Sequence, residues 1–343
     1  SMVEAVIVVD ETGKITNLNQ AAAKLLNVQA HKVTGAHYGN VIRNPDMHRF
    51  FRDIHNSQEP VEREIAFLNS ANEQLFLQTH GVLIRDKNLK KARALVVFND
   101  VTKLRKLESI RSDFVANVSH ELKTPITTIK GFVETLREEA VDDPNARKHF
   151  LDIILKNADR LHSIVEDLLT LSRVEEEDRK AQIILQSDSI AKPMVAAIEA
   201  CSLKAFEKGI RIVFDCPNDI RAKINAPLLE QAVTNLIVNS IKYSEENTTV
   251  ILKGRLGDDA VTISVKDHGI GIAEEHLPRL FERFYRSDKA RSRKLGGTGL
   301  GLAIVKHIVA AHNGKVKVKS RVGEGTTFTI KLPHEYPATG DSV

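Results

Sequence analysis

Cysteine is nearly missing from this chain: Cys201 and Cys216 are the only two in 343 residues. That excludes a disulfide framework and suits a reducing compartment. No apolar run approaches the roughly 20 residues that a membrane span needs, and no secretory leader is visible. The opening Ser-Met reads as an expression scar before a mid-protein start. The expectation is therefore a cytoplasmic portion, with room for a membrane anchor outside it. The formal net charge is only +4 and no dense Lys/Arg block occurs, so a nucleic-acid partner is not expected. What is present is ordinary for soluble globular protein, with 42% hydrophobic and 27% charged residues and enough length for two or three cores.

Residues 1–100 read as mixed α/β. Val6 to Val9 form a β-rich run, Asp10-Glu11-Thr12-Gly13 supplies turn chemistry, and Ile15 to Leu18 returns as a hairpin partner. Ala21 to Leu26 is expected to be helical. After a polar middle carrying Pro45 and Pro60, strand-like runs follow at Val61 to Phe67, Leu75 to Ile84 and Ala92 to Val101. The last two suit an antiparallel hairpin across the charged stretch Arg85 to Lys91. In pattern and position this region resembles a PAS sensor domain, which implies a ligand or signal that the residues do not name. His31, His37, His48, His55 and His80 share no spacing of the helix or zinc-loop kind, so surface or packing roles are expected of them. Both cysteines lie outside the region, which removes a flavin-adduct thiol.

The stretch Phe114 to Ile126 organises the middle of the chain. Leu122, Ile126, Ile129, Val133 and Leu136 recur at alternating spacings of four and three, the period of a helix burying one seam. His120 points away from that seam, with Lys123 and Thr124 near its direction. Pro125 cannot donate to the carbonyl of Glu121 and is expected to open the helix locally. Taken alone, the pattern reads either as a solvated histidine beside an incidental kink or as a nucleophile on a helix built to flex. Upstream, Leu104, Leu107, Phe114 and Val118 hold a near-heptad seam that joins the first region without a flexible break. The helix is expected to end near Ala140, with Asp143 capping the next and Pro144 at its first position. Phe150, Ile154, Asn157, Leu161, Ile164, Leu168 and Leu171 then keep four-three spacing. Residues 101–178 thus make a linker and a helical hairpin. One hairpin cannot bury both seams, so a second copy completing a four-helix bundle is expected.

Residues 188–335 alternate helix and strand signals, and a short tail, 336–343, is expected to be disordered. Ser189 to Glu207 reads as a helix and Ile210 to Phe214 as a strand; Asn225-Ala226-Pro227 opens another helix. On that helix Asn235, Asn239 and Lys242 share a face. Such a face suits either plain solvation or a hydrated Mg²⁺ with phosphate oxygens, since Mg²⁺ takes oxygen ligands and keeps much of its water. An alternating hairpin through Val250, Leu252, Val261, Ile263 and Val265 delivers Asp267-His268-Gly269-Ile270-Gly271 from a strand end. A carboxylate there can accept a hydrogen bond from an exocyclic amine, and the glycines let a base approach the backbone. Gly297-Thr298-Gly299-Leu300-Gly301 opens a further helix, where free amides and the helix dipole suit phosphate. Strands at Val316 to Ser320 and Thr326 to Leu332 close the region.

Ser119-His120-Glu121-Leu122-Lys123-Thr124-Pro125, Asn235-x-x-x-Asn239-x-x-Lys242-Tyr243, Asp267-x-Gly269-x-Gly271, Phe281-x-x-Phe284 and Gly297-x-Gly299-x-Gly301 are similar, in this order, to the H, N, G1, F and G2 boxes of sensor histidine kinases. With the PAS-like start, the chain resembles the phosphate-regulon sensor kinases. The resemblance implies a multidomain α+β protein: a PAS-like sensor, a dimeric helical hairpin and an α/β-sandwich ATP-binding domain of the GHKL type. It implies autophosphorylation of His120 from Mg-ATP, transfer to an aspartate of a response regulator, and phosphatase activity toward the same regulator. Glu121 would take the proton of the other ring nitrogen, and Thr124 would position water for the reverse activity. Asn239, beside Asn235, would hold Mg²⁺; Lys242 and Tyr243 would meet phosphate and the nucleotide edge, and Asp267 the adenine amine, with Gly269 and Gly271 beside it. Gly297, Thr298, Gly299, Leu300 and Gly301 would face phosphate, with Ser287 to Leu295 as a lid. Arg286, like Arg283, would neutralise developing charge or hold an ordinary ion pair. Asn225 replaces an acidic residue common in the family, an equivalent helix cap. A GHKL-type ATPase machine, which leaves His120 without a role, and a non-catalytic sensing adaptor are the other readings.

Overall fold

The computed structural model describes residues 4–57, 59–69, 73–86, 91–138, 143–179, 183–287 and 297–334. The expected lid, the tip of the helical hairpin and the tail fall almost wholly outside these. The chain forms two compact units, 1–113 and 114–343, so the helical hairpin and the 188–335 region share one unit.

In the first unit, strands β1 (Ala5–Asp10), β2 (Ile15–Leu18), β3 (Val61–Leu68), β4 (Gln74–Asp86) and β5 (Lys91–Asp100) form an antiparallel sheet in the order β2-β1-β5-β4-β3. Asp10 builds the first turn by accepting the amides of Thr12 and Lys14, each at 2.9 Å. Helices α1 (Gln20–Leu25), α2 (Ala30–Val33), α3 (Tyr38–Val41) and α4 (Pro45–Asn56) lie between β2 and β3. The expected polar middle therefore holds a helix. Asn44 caps α4 through the amides of Asp46 and Met47, at 3.0 and 2.9 Å, and Pro45 occupies its first position. Met47, Phe50, Phe51 and Ile54 bury its apolar face. Gly81 in β4 lets α4 approach: a Cβ there would lie 2.1 Å from Ile54 Cδ1. His55 sits between the carbonyls of Phe51 and Asp10, and His80 pairs with Glu62.

Helix α5 (Thr102–Glu138) continues from the first unit into the second and runs unbroken through Pro125, which is buried. Helix α6 (Pro144–Arg179) begins as expected, with Asp143 accepting the Asn145 amide at 2.9 Å. Phe132 and Phe150 meet across the hairpin, their ring centroids 5.2 Å apart. The α6 seam is buried or half-buried, but Leu151, Leu155, Val165 and Leu169 form a second apolar stripe that is exposed. On α5, Ile126 and Val133 are likewise exposed.

The rest of this unit is a two-layer sandwich. Strands β6 (Gln186–Ser189) and β8 (Arg221–Ile224) pair as a small ribbon absent from the sequence expectation. Strands β7 (Arg211–Asp215), β9 (Thr249–Leu256), β10 (Ala260–Lys266), β11 (Lys315–Arg321) and β12 (Gly325–Pro333) form a sheet ordered β11-β12-β10-β9-β7. Only the β7–β9 pair in it is parallel. Helices α7 (Ala191–Glu207), α8 (Ala226–Tyr243) and α9 (Gly301–Ala311) share one core with the inward residues of this sheet, among them Leu236, Leu252, Ile263, Ile304 and Ile330.

Candidate functional site

Asn225 caps α8, its side chain accepting the Leu228 amide at 3.2 Å. Leu229, Ala232, Val233, Leu236, Ile237 and Ile241 bury the inner face, which leaves Asn235, Asn239 and Lys242 half-buried on the other. Asn235 donates to the Gly301 carbonyl at 3.4 Å and so ties α8 to the start of α9. Asn239 makes no hydrogen bond among the described residues. The Lys242 ammonium lies 5.2 Å from the centroid of the Tyr243 ring. Burial, with lesser repulsion from Arg286 and Arg160, pushes its pKa down to about 8.

Asp267 leaves the end of β10 only 4% exposed. Its Oδ1 accepts the amides of Gly269 (3.0 Å) and Thr326 (3.1 Å), while Oδ2 takes only the Ser240 hydroxyl at 3.3 Å. Burial raises its pKa, and these hydrogen bonds oppose the rise. The neighbouring glycines serve the protein's own backbone. A Cβ on Gly269 would lie 2.4 Å from the Tyr243 carbonyl oxygen, and one on Gly271, at φ +69°, would lie 2.0 Å from that of Arg321. Both positions exclude a side chain whatever is bound.

Gly299 has φ +79° and accepts the amide of Phe284, itself at φ +62°, at 2.9 Å. That fixes the two phenylalanines of the pair apart in role: Phe281 packs on Phe328 in the sandwich, while Phe284 meets Phe114 of α5 at 5.9 Å between centroids. Thr298 donates to Asp167 of α6 at 2.6 Å and accepts the Leu300 amide at 3.2 Å. Arg283 pairs with Glu175, which also faces His307 at 3.3 Å.

His120 is exposed on α5, and the hydroxyl of Thr124, one turn on, donates to the His120 carbonyl at 3.1 Å. Glu121 makes no hydrogen bond to His120 here. Its Oε2 accepts from Arg160 of α6 at 2.7 Å and from Arg286 at 2.9 Å, and the same Arg286 nitrogen reaches the Thr298 carbonyl at 3.0 Å. The side chains of Arg286, Arg160 and Glu121 are 7%, 14% and 15% exposed, so two cations share one largely buried carboxylate. The structure thereby brings Glu121, Arg286, Lys242, Thr298 and the glycine stretch into one neighbourhood. The sequence reading did not single out Arg160, Asp167 and Glu175. Their spacings of seven and eight, two helical turns each, are the signal that was available. Ser240 and Thr326, which hold Asp267, carried none.

A two-layer sandwich with a buried carboxylate and a glycine-opened helix, packed on a hairpin displaying a histidine, is the arrangement that an ATP-dependent phosphotransfer protein calls for. The family profiles agree region by region: a PAS domain matches residues 3–103, a His Kinase A phospho-acceptor domain 110–177, and a histidine kinase-, DNA gyrase B- and HSP90-like ATPase 224–336. The phosphate regulon sensor protein PhoR of Pseudomonas aeruginosa is 36% identical over 329 residues, covering 95% of this chain and 71% of that protein. The sensor-like histidine kinase SenX3 of Mycolicibacterium smegmatis is 41% identical over 71% of this chain and 62% of its own length. Sensor histidine kinase WalK of Bacillus subtilis is 34% identical over 97% of this chain, which spans 54% of it. Among solved structures, histidine kinase ThkA, in a complex with response regulator protein TrrA, shares the fold at 22% identity, with a TM-score of 0.53 over 96% of this chain and 95% of that one. Histidine kinase AdeS of Acinetobacter baumannii aligns with a TM-score of 0.51 at 25% identity over 63% of this chain and 98% of its own. The chain belongs to the sensor histidine kinases, with PAS, phospho-acceptor and ATP-binding domains. Among the described residues no helix is long and apolar enough to cross a membrane.

Proposed function

We propose that the chain autophosphorylates His120 from ATP and passes the phosphoryl group to an aspartate on a response regulator, with phosphatase activity toward the same regulator. The observation that carries this is the Arg286 bridge, which joins the neighbour of an exposed histidine to the carbonyl of Thr298 in the glycine stretch. The neutral imidazole of His120 attacks the γ-phosphorus, a nitrogen–phosphorus bond forms, the bond to the β-phosphate oxygen breaks, and ADP leaves. Glu121 takes the proton from the other ring nitrogen. With Arg160 and Arg286 both on its carboxylate, Glu121 is not free to do so, and the present arrangement is a non-transferring one. Transfer needs Arg286 to exchange Glu121 for phosphate, where its charge offsets that developing on the transferred group.

Asp267 holds the adenine amine through Oδ2, the oxygen with the weaker internal partner. Lys242 and the amides opening α9 hold phosphates. The carboxamide of Asn239, half-buried and without a partner among the described residues, fits a Mg²⁺ ion. A Mg²⁺ bound there would offset triphosphate charge. Thr124 positions water for hydrolysis of the regulator's aspartyl phosphate. The exposed stripes on α5 and α6 support a homodimer through a four-helix bundle. The PAS domain supplies a signal input whose ligand its residues do not identify. Incubation with γ-labelled ATP tests the reading. Acid-labile, base-stable label that disappears in His120→Ala is expected; label persisting in that variant, or steady ATP hydrolysis with no labelled protein, would sink it.

A further inference from the structure

The small net charge of +4 hides a local asymmetry on the sandwich sheet. Pairing register places residues of the face opposite the helices in rows: Lys315–Lys331–Thr262–Arg255, Lys317–Thr329–Ser264–Lys253 and Lys319–Thr327–Lys266–Ile251. Their alternates, such as Val261, Ile263, Ile330 and Leu252, are the buried ones. Lys253, Lys266, Lys315, Lys317, Lys319 and Lys331 are all exposed, and none has an ion-pair partner among the described residues. The one carboxylate on these rows among the described residues, Asp215 opposite Lys253 on β7, pairs with Arg255 and also feels the charge of Lys253. Arg211 and Arg321 stand exposed at the end of the face towards the start of β9, Arg321 paired with Glu324 at 3.1 Å.

Lysines on an edge strand discourage sheet-to-sheet pairing, which accounts for β11. It does not account for Lys331, Lys266 and Lys253, which lie on β12, β10 and β9 inside the sheet. Lys315 and Lys331 are direct cross-strand neighbours, an arrangement that costs stability. At about 4.8 Å between strands, the six ammonium groups span a patch about 14 Å across. Between them lie only Thr262, Ser264, Thr327, Thr329 and the half-buried Ile251. A specific protein partner calls for aromatic or free guanidinium anchors in a shaped core; these rows hold no aromatic, and their one guanidinium, Arg255, is engaged by Asp215. Flexible, strongly hydrated point charges spread over an open sheet face instead match an array of anionic headgroups. We infer that this sheet face is a docking surface for an anionic lipid bilayer, separate from the nucleotide site.

Sedimentation of the full chain with mixed phosphatidylcholine–phosphatidylglycerol vesicles tests it. The chain should bind these at low salt, release as salt rises, and ignore pure phosphatidylcholine. Each lysine contributes about a fivefold factor, so Lys253→Gln/Lys266→Gln/Lys331→Gln should lower the partition coefficient about a hundredfold. Its ADP affinity should match that of the unaltered chain and its melting temperature should match or exceed it, since all three side chains are exposed and Lys331 no longer repels Lys315. No binding to the mixed vesicles, equal binding by the triple variant, or binding to an acidic polypeptide or DNA that vesicles fail to displace would each overturn the assignment.

Discussion

Asp267→Asn separates recognition from architecture at a single oxygen. Oδ1 carries both backbone donors, at 3.0 and 3.1 Å, while Oδ2 has only the 3.3 Å bond from Ser240. The amide of D267N keeps its carbonyl on the two backbone donors and turns its NH₂ outward, and the Ser240 hydroxyl rotates to accept from it. Stability should therefore hold or rise, because the carboxylate is held above its usual pKa by burial and the neutral amide escapes that cost. ATP loses an ionised acceptor for its exocyclic amine and meets a donor instead. A hydrogen bond to a charged group contributes about 1.5–3 kcal/mol, so the affinity for ADP or ATP should fall about ten- to a hundredfold. The same outward NH₂ complements a guanine carbonyl, so the preference for ATP over GTP should narrow. Equilibrium titration of nucleotide, beside a melting curve, measures both. An unchanged ADP affinity would refute the assignment of Oδ2 to adenine. A collapse of stability together with affinity would refute the division of labour between the two oxygens.

Two further outcomes rest on bases whose pKa burial lowers. With the free-protein pKa of Lys242 near 8, its charge fades as pH rises, and the Kd for ATP should grow about tenfold by pH 9; Lys242→Met should bind more weakly at pH 7 and lose that slope, and a flat profile in the unaltered chain would exclude an ammonium contact to phosphate. His312 is 2% exposed, its Nδ1 bonded to the Ile308 carbonyl at 2.7 Å and its Nε2 accepting the Asn225 amide at 2.9 Å, a neutral tautomer whose pKa burial lowers. A base with a depressed folded pKa keeps its full stabilisation above the unfolded value near 6.5 and loses it as pH falls below that. His312→Leu should cost about 1–3 kcal/mol at pH 8 by orphaning the Asn225 amide and should flatten the loss of stability between pH 6.5 and 5, as read by denaturant unfolding; an acid limb as steep as before would clear His312 of any part in it.

Local chemistry determined a large part of this protein. Period-two and period-3.6 patterning placed most strands and the long helices, because each must bury one face of fixed geometry. The cap rules placed the starts of α6 and α8 at Asp143 and Asn225, and the same rule at Asn44-Pro45 would have yielded α4. The order of the short motifs identified the family, since their residue types follow from nucleotide chemistry. Tertiary structure alone decided how they meet. Asp267 is held by Ser240 and Thr326 from two other elements, a convergence without local pattern. Gly269 and Gly271 are required by the closeness of the Tyr243 and Arg321 carbonyls, a constraint that no local pattern shows. The ribbon of β6 and β8 is too short to declare itself. Above all, the family resemblance gave Glu121 a role in transfer from its place beside His120, yet the structure gives its carboxylate to Arg160 and Arg286, from 39 and 165 residues away. A buried carboxylate takes whichever cations the fold brings within reach, and that choice is not written in any one stretch of the chain.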